Sequence, residues 1–253
     1  MKYYSRLIDL ACFKRDDIEA MTGNRATAHS VIEAYKKKGL IESVRRDLFV
    51  TISLETRQPV ANRFVIASRA APGAYVAYHS AFEYHGLANQ VCYEVYAASK
   101  TRFRAFEHGG LTYRHVPTSL DAGVDSKNDV RVTDLERTVV DGIDNFEKVG
   151  GLEGFLPCIG MIPYLDSRKL MDYLNAYDTI FLYQKAGYIL EHYQEALKLP
   201  AFFFDACRSK ITKSKRYLYA GLRRVAHIQD KSWALYVPVD LLAVTRQGAS
   251  HNE

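Results

Sequence analysis

The stretch "TGNRATAHSVIEAYKKKGLIESVRRDLFV", Thr22 to Val50, decides how the N-terminal part of the chain reads. Gly23 ends whatever helix precedes it, and Asn24 is a favourable N-cap for the next one. From Arg25 to about Lys38, the apolar residues Ala28, Val31, Ile32 and Tyr35 recur at helical spacing and share one face. Gly39 fits the position just past the helix end. Residues 41–44 and 48–53 then read as two short strands around the polar tip Arg45-Arg46-Asp47. Working upstream, Tyr4, Leu7, Ile8 and Ala11 give residues 3–12 a helical period. Asp16 and Asp17 open a short helix over 16–22, where carboxylates favour the dipole. Helix, helix, helix, hairpin is the order of a winged helix-turn-helix, expected over residues 1–55.

The face of the third helix opposite its apolar stripe carries Ala26, Ser30, Glu33 and Lys37, flanked by Thr27 and His29. Small and polar side chains in the first two turns of such a helix can approach base edges in a major groove. Thr27 and Ser30 would do so by hydrogen bonds, and Ala26 by contact with a thymine methyl. Arg25, at the helix start, can reach a phosphate or a guanine. Arg45 and Arg46 at the hairpin tip suit phosphates or a minor groove. A winged helix used only for protein contacts is the competing reading, and Glu33 is a poor neighbour for a phosphate backbone.

The 253-residue chain has room for a small domain and a larger one. Its 48% apolar and 25% charged residues are those of an ordinary soluble globular protein. No apolar run approaches the roughly 18–20 residues needed to span a bilayer, and the N-terminus lacks a signal-peptide pattern. A cytoplasmic location without membrane attachment is therefore expected. Cys12, Cys92, Cys158 and Cys207 are scattered and read as buried small hydrophobes. The net charge of +5 is modest, but its distribution is uneven. Residues 1–50 hold ten Lys/Arg against seven Asp/Glu, and the stretch from Arg208 to Arg224 contains no acid. Lys213, Lys215 and Arg216 in that stretch are candidate DNA contacts, with a solvated charged face as the bland alternative.

The polar stretch at 55–62 is the expected boundary to a second domain, residues 56–253. There the reading is strands first, then helices, then terminal strands. Strands are expected at 64–66, 75–78, 93–97, 101–106, 111–116 and 130–132, with Gly109-Gly110 as a turn. Thr133 and Glu136 have capping-box spacing at the head of a helix over 135–146. Helices over 152–159, 167–174, 179–197 and 201–211 follow, then strands at 224–227 and 234–239. The fold class is therefore α+β, a winged helix-turn-helix followed by a larger mixed α/β domain.

Catalytic chemistry finds little support. His79 and His85 are six residues apart, on different faces of a helix, and do not form an i, i+4 metal pair. Asp134, Glu136, Asp141 and Asp144 raise a metal-dependent nuclease, but no following strand supplies an acid–x–lysine element. Walker, dinucleotide-binding and HExxH motifs are absent. No cofactor or metal is expected, and the protein is read as a non-enzyme. The tyrosines at 173, 177, 183, 188 and 193 read as half-buried core with solvated hydroxyls. Trp233 reads as core.

Four stretches carry a family resemblance. "DDIEAMTGNRATAHSVIEAYKKKGLIESVRRDLFV", "YVAYHSAFEYHGLANQ", "VRVTDLERTVVDGIDNFEKVGGLEGFL" and "LYQKAGYILEHY" resemble the AbiEi-type antitoxins and transcriptional regulators of bacterial abortive-infection operons. The resemblance spans nearly the whole chain. It implies an N-terminal winged helix that represses the protein's own promoter at inverted repeats in duplex DNA. It also implies a C-terminal antitoxin domain that counters a nucleotidyltransferase toxin without a stable complex. Two copies on the repeats, as a dimer or as paired monomers, fit that picture. Asp47 departs from the family, whose wing has glycine at that place.

Overall fold

A computed structural model describes residues 2–88, 90 and 92–243. Asn89, within one of the four resembling stretches, lies outside the described residues. The fold is mixed α+β, and its described strands form two three-stranded sheets and one six-stranded sheet. The chain forms two compact units. One takes Met1–Val76, Cys92–Ser119 and Val124–Val132; the other takes Ala77–Val91, Leu120–Gly123 and Thr133–Glu253. The boundary expected at 55–62 falls inside the first unit. Among the described residues, no helix is long and apolar enough to cross a membrane.

The first unit begins with α1 (Tyr4–Leu10), β1 (Cys12–Phe13), α2 (Arg15–Thr22), α3 (Arg25–Lys37), β2 (Ile41–Arg45) and β3 (Leu48–Thr51). The helix expected to reach Cys12 stops earlier, because Ala11 takes a left-handed φ of 54°. Cys12 and Phe13 instead extend and pair with Val50 and Phe49, giving the sheet order β1-β3-β2. The gain is burial: Cys12 and Phe13 are fully enclosed, and the Phe13 and Phe49 rings stack at 5.8 Å. The Thr51 hydroxyl donates to the Leu7 carbonyl at 2.6 Å, and the Thr51 amide to Ala11 at 2.9 Å. Two carbonyls at the frayed end of α1 are thereby satisfied. Leu7, Phe13, Ile18, Ala28, Ile32, Tyr35, Leu40, Ile41 and Phe49 form one core beneath these elements.

After Thr51 the chain continues through α4 (Arg63–Arg69) and β4 (Tyr75–Val76), then α5 (His79–Tyr84), which belongs to the second unit. It returns for β5 (Glu94–Ser99), β6 (Phe106–His108), β7 (Leu111–Pro117), β8 (Val124–Lys127) and β9 (Val130–Thr133). Residues 64–66, expected as a strand, are helical. The Asn62 side chain accepts from the Phe64 and Val65 amides at 2.9 and 3.0 Å, an N-cap that outweighs the strand propensity of Phe-Val-Ile. Residues 101–105 are not a strand; pairing begins only at Phe106, opposite Tyr113, across the Gly109-Gly110 turn. β8 was not anticipated. Asn128 and Asp129, both at positive φ, turn it back into β9. The sheet order β6-β7-β5-β4-β9-β8 mixes antiparallel β6/β7 and β5/β4 with parallel β7/β5 and β4/β9.

The second unit is mainly helical: α6 (Leu135–Asp144), α7 (Gly151–Gly160), α8 (Ser167–Tyr177), α9 (Ile180–Glu191), α10 (Gln194–Leu197) and α11 (Ala201–Lys210). β10 (Arg216–Tyr217), β11 (His227–Asp230) and β12 (Leu235–Pro238) close it in the order β10-β12-β11. The helix expected over 179–197 breaks at His192–Tyr193 into α9 and α10. The strand expected at 224–227 is displaced to His227–Asp230 by a 3₁₀ turn at Ala220–Arg224. The capping box read from Thr133 and Glu136 does not form. Asp134 caps α6 by accepting from the Arg137 amide at 2.8 Å, and Glu136 accepts from the Asp166 amide at 3.0 Å. Trp233 is fully buried, as its place in the sequence suggests.

Candidate nucleic-acid interface

α3 owes its start to Asn24, whose side-chain oxygen accepts from the Ala26 and Thr27 amides at 2.8 and 3.0 Å. Ala28, Ile32 and Tyr35 are buried, with Val31 half-buried, so the apolar stripe read from the sequence faces the core. Arg25, Ala26, Thr27, His29, Ser30 and Lys37 are all exposed. All six lie on one helix, outside its buried stripe. The Ser30 hydroxyl donates to the Ala26 carbonyl at 3.1 Å, which leaves its oxygen lone pairs outward as an acceptor. Glu33 pairs with Lys36 at 3.5 Å, so the one acid on this face is partly screened by its neighbour.

The two arginines of the hairpin tip go different ways. Arg46 is exposed. Arg45 is turned into the first unit, where its guanidinium donates to the Ala70 carbonyl and lies over the Phe103 and Phe106 rings at 5.4 and 5.0 Å. Burial lowers its pKa, with Asp47 opposing the shift. Asp47 takes the left-handed φ of 63° that a glycine would take there, and pairs with Arg15 at 3.8 Å. Aspartate tolerates that conformation through its short polar side chain, which accounts for an acid at this hairpin tip.

Lys213, Lys215 and Arg216 are exposed in the second unit. Lys215 donates to the Gln229 side chain at 3.3 Å, and Arg216 lies over the Phe181 ring at 5.4 Å. The stretch they belong to contains no acid, yet the fold supplies two. Arg208 pairs with Glu191 and with Asp205 at 3.1 Å, and stacks on Trp233 at 4.6 Å. Asp205 is an i, i+3 neighbour on α11, whereas Glu191 on α9 is a partner that spacing had no means of showing.

Of the carboxylates considered for nuclease chemistry, Asp144 is exposed, while Asp134, Glu136 and Asp141 are buried and bonded. Asp141 Oδ1 accepts from Arg137 Nε and from the Tyr177 hydroxyl, each at 2.6 Å. Arg137 also donates to the Ala122 carbonyl at 2.8 Å. Asp134 Oδ2 accepts from the Tyr173 hydroxyl at 2.6 Å and from Lys169 at 3.1 Å. Burial pushes the Asp141 carboxyl up, opposed by Arg137 and Tyr177; burial and the Asp134 carboxylate together push the Tyr173 hydroxyl up. The network fastens α6 to α8. It also corrects the reading of the tyrosines: the hydroxyls of Tyr173 and Tyr177 are bonded inside the unit, and that of Tyr183 donates to Asn175 at 2.7 Å. His85 Nε2 lies 2.8 Å from the Thr133 carbonyl, and His79 is buried.

The whole chain has a solved counterpart. It is similar to the crystal structure of the RV2827C protein from Mycobacterium tuberculosis, with a TM-score of 0.63 and 12% identity over 98% of this chain and 95% of that chain. A likeness at that identity shows a shared fold and nothing of function. No family model matches the chain, and no curated protein matches it.

Proposed function

We propose that the protein is a duplex-DNA-binding autorepressor and antitoxin of a bacterial toxin–antitoxin operon, of the AbiEi type. Its N-terminal helices and hairpin act as a winged helix-turn-helix, with α3 in the major groove and Arg46 at the wing. The second unit supplies the antitoxin function against a nucleotidyltransferase toxin. The observation that carries the reading is the capped, exposed first turns of α3. Arg25, Ala26, Thr27, His29 and Ser30 project there, free of the core. The engagement of Asp134 and Asp141 in buried side-chain bonds supports a non-enzymatic role.

The test is a gel shift on the inverted repeats upstream of the gene. Tight, sequence-selective binding is expected, falling steeply with salt as counterions are released. An Arg25→Ala/Thr27→Ala/Ser30→Ala protein that binds the repeats as well as the wild type would overturn the assignment.

A protein-interaction module is the second reading. Phe202, 63% exposed, lies beside Met171 and Phe203 at a groove of about 360 Å³ in the second unit. Co-purification with the neighbouring gene product, together with no DNA affinity, would favour that reading.

A further inference from the structure

We propose a second DNA contact in the first unit: a basic groove on the six-stranded sheet that grips the sugar–phosphate backbone of a duplex without reading its sequence. The groove, about 590 Å³, is lined by Lys100, Arg102, Phe103, Arg104, Arg114 and His115 among others, and no acid lines it. Lys100, Arg102, Arg104 and Arg114 are exposed. Glu94 pairs with Arg114 from outside the lining, and Lys100, Arg102 and Arg104 add three further cations to the groove.

The shape of the groove is fixed by bonds around it. The Ser99 hydroxyl donates to the Thr101 carbonyl at 2.6 Å, and His115 Nε2 lies 3.0 Å from the Ser99 carbonyl. Arg102 and Arg104 flank Phe103 in a non-helical segment, so the buried ring sits between two outward cations. The same Phe103 ring takes the Arg45 guanidinium. Arg45 therefore ties the β2–β3 hairpin, with Arg46 at its tip, to the segment that carries the groove.

The chemistry favours a duplex backbone over a single strand. Single-strand binding needs exposed aromatic faces on which bases stack. Phe103, however, is buried, between Arg45 at 5.4 Å and the His115 ring at 5.0 Å. Cations without a stacking platform suit phosphates alone.

The inference rests on the reading of the protein as a duplex-DNA binder, and its test separates the two. The full chain is titrated with a random-sequence 30-bp duplex, with the upstream duplex, and with a single-stranded RNA of equal length. Lys100→Gln/Arg102→Gln/Arg104→Gln is expected to weaken random-duplex binding about tenfold or more. It should also flatten the slope of log K against log salt by roughly two to three, at about 0.9 per phosphate contact. Arg102→Lys/Arg104→Lys should retain most of the affinity. Thr27→Ala/Ser30→Ala should lose the preference for the upstream duplex and keep the slope on random duplex. Wild-type affinity and slope in the triple Gln variant would overturn the groove, as would a preference of the wild type for the RNA. If the upstream duplex is not preferred but the triple variant still weakens random-duplex binding, the groove stands and the operator reading falls. Absence of any duplex binding by the wild type overturns both.

Discussion

The Arg45 guanidinium carbon lies 5.0 Å from the centre of the Phe106 ring, while Arg46, the next residue, is exposed. One arginine of the hairpin tip holds the first unit together and the other is available to a partner. Replacing them separately should therefore give opposite signatures. Arg45→Ala loses two ring contacts and a hydrogen bond to the Ala70 carbonyl, and should lower stability by about 2 kcal/mol in a denaturant titration. Arg46→Ala should stay within about 0.5 kcal/mol of the wild type and weaken DNA binding instead. Equal stability losses in the two variants would contradict the placement of Arg45.

Arg137 and Asp141 are 2% and 1% exposed and sit one turn apart on α6. Removing one partner of such a pair strands the other charge in the interior. Arg137→Met alone should cost about 3–5 kcal/mol. Arg137→Met/Asp141→Leu should recover a large part of that loss, because no uncompensated charge remains. Urea denaturation of both singles and the double variant measures the coupling; strict additivity would show that the pair does not act as a unit.

Gly187 on α9 faces the indole of Trp233. A Cβ at that position would lie 2.0 Å from Trp233 Cζ3, closer than any real contact, and the indole is fully enclosed. Gly187→Ala should destabilise the protein by about 1–3 kcal/mol or more through overpacking, against the usual gain of Gly→Ala in a helix. Pairing it with Trp233→Leu should relieve the clash. The measurement is the thermal midpoint of the two singles and the double.

Lys185, 4% exposed, donates to the Ile143 carbonyl and to Asp144 O at 2.6 Å, beside the Phe146 and Phe181 rings. Burial lowers its pKa from 10.5 to about 8, opposed by Asp144. Between those two values the unfolded chain holds a proton that the folded chain releases, so this group adds stability as pH rises from about 8. The raised hydroxyls of Tyr173, Tyr177 and Tyr188 act the other way: folded, they stay protonated, and their contribution is lost as pH climbs past the ordinary tyrosine value of 10.0. Between pH 8 and 10, the wild type should therefore gain stability relative to Lys185→Met, by an amount on the order of 2 kcal/mol. Parallel pH profiles for the two proteins would refute the assignment.

The elements that were legible in the sequence depend on neighbours within about one helical turn. Asn24 capping α3, the Ala28–Ile32–Tyr35 stripe and the turn at Gly109-Gly110 all follow from such short-range chemistry. Where two local signals competed, the reading failed. Phe64-Val65-Ile66 has the composition of a strand, and the Asn62 cap two residues upstream made it a helix. Asp47 stands at the hairpin tip where the resemblance implies glycine, and its left-handed φ of 63° is the conformation a glycine would take.

The sequence by itself determined the α+β class, the helical register of α3 and its outward residues, because side-chain period and capping act along the chain. Only the tertiary structure decided that Cys12–Phe13 is a strand, that Arg45 turns inward and that Arg208 meets Glu191. It alone brought Asp134 and Asp141 to hydroxyls on α8, and it alone gathered Lys100, Arg102, Arg104 and Arg114 into one groove. These pairings join residues far apart in the chain. Each is set by which surfaces bury the most apolar area and leave no polar group unsatisfied once the elements pack.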